Sequence, residues 1–284
     1  MLGPMLTDYH LHLRPDEEGT SFERYFTTAN VERYLDAAEH AGVEELGVSE
    51  HVYRFRQALD LWRHPLWVEN AVDDLDAYCE FIRGTPLRLG IECDFVPGAE
   101  DRIAALMEAR DFDYVVGSVH FIGDGDAAVD HEGFDIWEGG DDAEEIWRRY
   151  FETVAAAARS GLFDILAHPD LVKVWGRSRP LPDRDPRAFY EPAVEAIAES
   201  GIAVEVSTAG IRKPVGELYP SRRFAEMCVE AGAAFALSSD AHRPEQVGFE
   251  YDRAVGFLEE LGIDEICVFE QRRRSLAPLG ARVG

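Results

Sequence analysis

Ser160-Gly161-Leu162-Phe163-Asp164-Ile165-Leu166-Ala167-His168-Pro169-Asp170 carries the pattern that decides the fold. A helical pattern ends at Ser-Gly, a short apolar run follows, and the run stops at polar residues. Glycine just past a helix supplies the left-handed residue of a helix end, and the apolar run after it reads as a buried parallel strand. The same plan recurs at Ala41-Gly42 before residues 45–50, at Ser200-Gly201 before 203–207, and at Ala231-Gly232 before 234–239. Val31, Tyr34, Leu35, Ala38 and Ala41 form one amphipathic helical stripe, and Ile146, Tyr150, Val154 and Ala158 another. Apolar runs at 87–93 and 114–119 and an opening strand near 5–12 bring the strands to about seven. Residues 265–269 read as either an eighth strand or a closing edge. Alternation of strands and helices argues for a parallel sheet, and this many units favour a closed barrel built as one domain over residues 1–284.

Composition narrows the function. A hydrophobic content of 46% supplies a sizeable core, and 28 Lys+Arg against 55 Asp+Glu give a net charge of −27, which repels a phosphate backbone and argues against a nucleic-acid partner. Cys79, Cys93, Cys228 and Cys267 lie far apart, with no C-x-x-C spacing, as expected of reduced structural thiols. The sequence has neither a charged-then-apolar leader pattern nor an apolar run of the roughly 18 residues that a membrane span needs, so no membrane partner and a cytoplasmic location are expected.

The chemistry sits where strands end. Asp8, His10 and His12 alternate along the opening strand and share a face. Of nine histidines, six (His10, His12, His51, His120, His168 and His242) fall at or just past the C-terminal end of an expected strand, the end where barrel active sites are built. Asp8, Glu50, Glu92, Asp170 and Asp240 join them, and Asp240-Ala241-His242 repeats the spacing of the opening motif. Imidazoles and carboxylates without thiolate suit zinc, manganese or iron, and the inventory is large enough for two or three ions. Ions that share a bridging carboxylate clamp the attacking and leaving oxygens of an in-line displacement, as in phosphate-ester hydrolysis. Two polar loops interrupt the plan. Residues 123–142, with Asp124, Asp126, Asp130, His131, Glu132, Asp135 and Glu138, form a solvated excursion or a lid, with the solvated excursion as the default. Residues 175–187 form the second.

Six motifs taken together resemble the polymerase and histidinol phosphatase (PHP) superfamily: Asp-Tyr-His-Leu-His (8–12), Ser-Glu-His (49–51), Gly-Ile-Glu-Cys-Asp (90–94), Gly-Ser-Val-His-Phe (117–121), Asp-Ile-Leu-Ala-His-Pro-Asp (164–170) and Ser-Ser-Asp-Ala-His (238–242). The resemblance implies a distorted (β/α)7 TIM-like barrel of the PHP type with a trinuclear site. On that pattern His10, His12, Glu92 and Asp240 hold one ion, and Glu92 bridges to a second held by His120 and His168. His51 and His242 hold the third, with Asp16, or next to it Glu17, where many relatives carry another histidine. Residues 205–214 and Tyr219-Pro220-Ser221 are similar to the segment that the monofunctional histidinol-phosphatase branch places beside the substrate phosphate. Arg212 and Lys213 are therefore candidates for the phosphate, with Arg177 and Lys173 second; one of only two lysines next to an arginine suits a phosphate dianion. Ser207, Thr208, His131 and Asp135 are expected to touch the rest of the substrate.

The resemblance thus implies a metal-dependent phosphomonoesterase that converts L-histidinol phosphate to L-histidinol and phosphate through a hydroxide shared between two ions. Arg212 would neutralise charge on the phosphoryl group, and Asp240, His242 or a metal-bound water would protonate the leaving oxygen. The alternatives are a PHP phosphoesterase for another small phosphate ester or nucleotide, and an amidohydrolase-like metal hydrolase. The latter usually wants a bridging lysine at a strand end, and neither Lys173 nor Lys213 occupies such a place.

Overall fold

In a computed structural model, residues 2–17, 19–122, 127–140 and 142–281 are described. Their strands are β1 (Thr7–Asp8), β2 (Glu45–Val48), β3 (Arg88–Leu89), β4 (Glu92–Asp94), β5 (Val116–Ser118), β6 (Ile165–Leu166), β7 (Ala203–Ser207), β8 (Phe235–Ser238), β9 (Glu265–Glu270) and β10 (Arg273–Pro278). The helices are α1 (Phe22–Tyr25), α2 (Thr28–Ala41), α3 (Pro65–Asn70), α4 (Leu75–Arg83), α5 (Glu100–Glu108), α6 (Ala143–Arg159), α7 (Arg187–Ser200), α8 (Arg222–Glu230) and α9 (Tyr251–Glu260).

The repeated helix-turn-strand unit appears as expected, because each turn glycine adopts the backbone that other residues resist. Gly42, Gly161, Gly201 and Gly232 have φ of 67°, 70°, 69° and 77°. The strands after them pair in parallel, in the orders β1-β2-β3 and β4-β5-β6-β7-β8. Single bridges link these two sheets. His51 bridges Glu92, where β3 and β4 continue one another across Gly90 and Ile91, and Leu11 bridges Ala241, with the His12 N–H donating to the Ala241 carbonyl at 2.7 Å. Seven strand positions thus follow one another in a ring, joined at two places by bridges in place of ladders.

The Tyr114 ring lies where side chains of β2 and β3 would otherwise be: a Cβ on Gly47 would meet its hydroxyl at 2.3 Å, and one on Gly90 its Cζ at 2.3 Å. Tyr114 fills the ring interior with Tyr9, Val116, Ile165, Ala203 and Ala236.

Residues 265–269 are neither an eighth ring strand nor a strand edge that closes the ring. They form β9, which pairs antiparallel with β10, and this hairpin packs Cys267, Val268, Phe269 and Ala277 against the interior cluster. Met5 joins it to the start of β1, donating to Pro278 O at 3.0 Å and accepting from Gly280 N at 2.9 Å. An apolar run reveals burial but not the direction of its partner, so the sequence left this element open. The hairpin seals the N-terminal end of the ring and leaves the other end to the ligands.

Gly90→Ala is expected to cost about 1–3 kcal/mol of unfolding free energy in urea. Combined with Tyr114→Ala, which vacates the colliding volume, the loss should fall short of the sum of the two single losses.

Candidate metal centre

Glu92, at the start of β4, sits at the middle of the C-terminal strand ends. Its Oε2 lies 3.3 Å from His10 Nε2, 3.6 Å from His12 Nε2 and 2.5 Å from His51 Nδ1; its Oε1 lies 3.6 Å from His120 Nε2 and 3.3 Å from His168 Nε2. Asp240 Oδ1 adds contacts of 3.4 Å to His12 Nε2 and 3.5 Å to His242 Nδ1. Among the described residues, three groups of donor atoms are spaced closely enough for an ion: His10, His12 and Glu92; Glu92, His120 and His168; His12, His51 and His242. The residues fit metal for a second reason. His10 Nε2 and His12 Nε2 are buried with no hydrogen-bond partner, which costs free energy unless something else satisfies them.

The sequence choice between Asp16 and Glu17 has a geometric answer. Asp16 Oδ2 lies 2.8 Å from His242 Nε2 and 3.5 Å from His51 Nε2, whereas Glu17 turns outward to pair with Arg243. Glu17 therefore does not face the histidines. Arg54 holds the loop in place: its guanidinium pairs with Asp16 and with the buried Glu50, and donates to Arg14 O at 2.6 Å. Glu50 also accepts the Leu13 and Arg14 amides at 2.7 and 3.2 Å, so its carboxylate serves the loop.

The ligands are oriented from behind. His10 Nδ1 lies 2.7 Å from Glu205 Oε1, and Glu205 also accepts Ser238 Oγ at 2.7 Å and the His168 amide at 2.5 Å. His120 Nδ1 lies 2.7 Å from Asp94 Oδ1. Asp8, deeper in the ring, accepts the Ser239 amide at 3.0 Å and so fixes the residue before Asp240. Such partners set the tautomer and the basicity of a ligand imidazole. Burial, then the neighbouring His51 and His242, hold the His12 imidazole well below its ordinary pKa, in the neutral form that binds metal. His168 and Asp240 have φ of 23° and 50°, a backbone that side chains resist, at about 1–3 kcal/mol each.

Above the donors opens a cavity of about 700 Å³. Residues 127–140 do not form a solvated excursion. Ala128 and Val129 are buried, Val129 N–H donates to His120 O at 2.8 Å, and Asp130, His131 and Phe134 line the cavity; Asp124 and Asp126 lie outside the described residues. Trp175 Nε1 donates to Val129 O at 2.7 Å, and Arg179 pairs with Asp135 while lying 5.1 Å over the Trp175 ring, so the second loop is tied to the first.

Several expected substrate contacts are engaged elsewhere. Asp135 is taken by Arg179 and by the Trp137 amide at 3.0 Å. Lys173 is buried, its amine 2.9 Å from Asp170, from Glu217 and from Leu218 O, which uses all its donors. Arg177 is exposed, and neither it nor Ser207 nor Thr208 is among the described residues lining the cavity. Arg212 stands behind Asp240, donating from Nη2 to Ser239 O at 2.8 Å and to Asp240 O at 2.9 Å, while Nη1 is buried and unpartnered. Lys213 and His131 do line the cavity. Asp130, Trp175 and Tyr219, in the two loops and the phosphate-side segment singled out in the sequence, line it as well, whereas sequence reasoning missed Tyr53 and Arg54. Only Arg54 had a signal, its four-residue spacing from Glu50.

Fold and donor set together define a barrel of the metal-dependent hydrolase class. A model of the PHP domain matches residues 10–209, and the chain belongs to that family. A probable histidinol-phosphatase of Deinococcus radiodurans is 35% identical over 264 residues, covering 90% of this chain and 94% of the relative. One of Schizosaccharomyces pombe is 27% identical over 85% of this chain and 84% of its own. A crystal structure of a Lactococcus lactis histidinol phosphate phosphatase, with zinc, L-histidinol and phosphate, superposes with a TM-score of 0.68 at 18% identity over 96% of this chain and 100% of that one.

Removing Arg54 leaves the buried Glu50 carboxylate unpaired. Arg54→Met is therefore expected to lower unfolding free energy by about 3–5 kcal/mol, read from urea titrations of the metal-free protein.

Proposed function

We propose that this chain hydrolyses L-histidinol phosphate to L-histidinol and phosphate, and that divalent ions, zinc among them, are held by the strand-end ligands. The single observation that carries the reading is the buried Glu92 carboxylate facing five imidazoles. The 35% identity to the Deinococcus relative over nine-tenths of the chain supports the substrate. In this reading His10, His12, Glu92 and Asp240 hold one ion, Glu92, His120 and His168 a second, and His51, His242 and Asp16 a third. Ions bound there lower the pKa of water and neutralise charge on phosphoryl oxygens.

The chain's own residues do the rest. Lys213, exposed at the cavity wall, meets the incoming phosphate dianion, and Arg212 offers Nη1, a buried donor nitrogen without a hydrogen-bond partner. Arg212 also props the strained turn at Asp240 through two carbonyls, so its removal disturbs a ligand as well as a charge. Asp240 or His242 would take the proton released by the attacking water and pass it to the leaving alcohol oxygen; Asp240, held charged by His10, His12 and His242 against its burial, has none of its own to give. Glu205 and Asp94 keep the imidazoles of His10 and His120 turned inward. The amidohydrolase alternative finds no support, because Lys173 is spent in a buried ion pair and Lys213 is exposed.

Steady-state assays of L-histidinol phosphate beside p-nitrophenyl phosphate, with Zn, Mn or Fe restored singly to the apoprotein, test the reading. Activity should vanish on chelation, return with metal, and favour the histidinol ester. Equal rates on both esters would count against the substrate, and undiminished turnover without metal against the ions. His12→Ala should reduce turnover by at least about 10³-fold, in line with losing a transition-state charge stabiliser, with its circular dichroism spectrum unchanged. Glu205→Gln should weaken metal binding about 10- to 100-fold, measured by competition with a chromophoric chelator.

A further inference from the structure

Sorting the charged groups around the cavity by what they already touch leaves very few free. Arg14 pairs with Asp73, Arg54 with Glu50 and Asp16, and Glu17 with Arg243. Glu92 and Asp240 face imidazoles. Among the described residues lining the cavity, Asp130, Glu69 and Lys213 make no ion pair. Lys213 suits the phosphate; Asp130 and Glu69 are two anions without a cation. They differ in setting. Glu69 is exposed on α3, whereas Asp130 is half-buried and held by backbone contacts on the residue before it, Val129, which donates to His120 O and accepts from Trp175 Nε1 at 2.7 Å. A carboxylate fixed in a partly desolvated wall attracts a cation more strongly than one in open water.

We infer that Asp130 is the specificity residue that receives the primary ammonium group of the substrate, an assignment that rests on the function proposed above. L-Histidinol phosphate carries that amine on the carbon next to the ester methylene, so its acceptor must stand close to the phosphoryl site. Asp130 follows the residue bonded to the His120 carbonyl, and its side chain lines the same cavity as His120. At neutral pH the amine is charged while an unperturbed imidazole is largely neutral, so the carboxylate selects the amine. Phe134 and Trp175 belong to the same wall and offer ring surface to the rest of the molecule.

The test compares L-histidinol phosphate with imidazolylpropyl phosphate, which lacks only the amine, on the metal-loaded wild type, Asp130→Asn and Asp130→Glu. Wild-type kcat/KM should fall about 10- to 100-fold when the amine is removed, the worth of a charge-assisted hydrogen bond. Asp130→Asn should lose that preference through KM on the histidinol ester, with Asp130→Glu recovering part of it and the amine-free ester unaffected by either change. Equal losses on both esters, or a preference retained in Asp130→Asn, would overturn the assignment while the proposed function stands. A wild type inactive on L-histidinol phosphate overturns both.

Discussion

Everything at the open end of this ring answers to one buried carboxylate. Glu92 has five imidazoles within 3.6 Å and almost no contact with water. Its charge cannot be solvated, so its neighbours must compensate it. Those neighbours come from four different strand ends, and each strand must therefore finish at a fixed height and angle. The short strands and the two left-handed residues, His168 and Asp240, are what that convergence looks like in the backbone. Strain of this kind persists where the surroundings over-determine it, here through Glu205 on the His168 amide and Arg212 on the Asp240 carbonyl.

Around this hub the chain separates two uses of charge. Acids that back the proposed ligands, such as Glu205, Asp94 and Asp8, are buried and hydrogen-bonded. Arg54 and Arg14 work as internal counter-ions for Glu50, Asp16 and Asp73, and pin the loop after the first motif. What remains unpaired on the cavity wall is available to a ligand. A strongly acidic protein keeps its free cations scarce there, which gives Lys213 its significance.

Much of this was legible beforehand, and for physical reasons. A glycine at a helix end followed by an apolar run fixes a helix-turn-strand unit locally, and histidines just past such runs are carried by the barrel to one end. The motif pattern favours Asp16 over Glu17 but gives no reason, because adjacent loop residues share no periodicity; the partners that separate them, Arg54 on Asp16 and Arg243 on Glu17, are distant in sequence. Lys173 looked like a phosphate contact because its partners Asp170, Glu217 and Leu218 meet it through the fold; only Asp170 is close in sequence. The wall at residues 127–140 was read as solvated from its acids, while the buried Ala128, Val129 and Ile136 that anchor it are too few to show a period. The β9–β10 hairpin escaped for want of directional information.

The bridge between Leu11 and Ala241 spans nearly the whole chain, and each of its residues is flanked by proposed ligands: His10 and His12 on one side, Asp240 and His242 on the other. Contacts so distant in sequence form at the greatest cost in loop entropy and govern how slowly a chain folds. An ion gripped by both flanks would bind the closed ring and not the open chain, so its binding free energy would become a bolt across that seam. Starved of metal, the protein would be expected to exchange amide protons first along residues 10–12 and 240–242, with the strands opposite still protected.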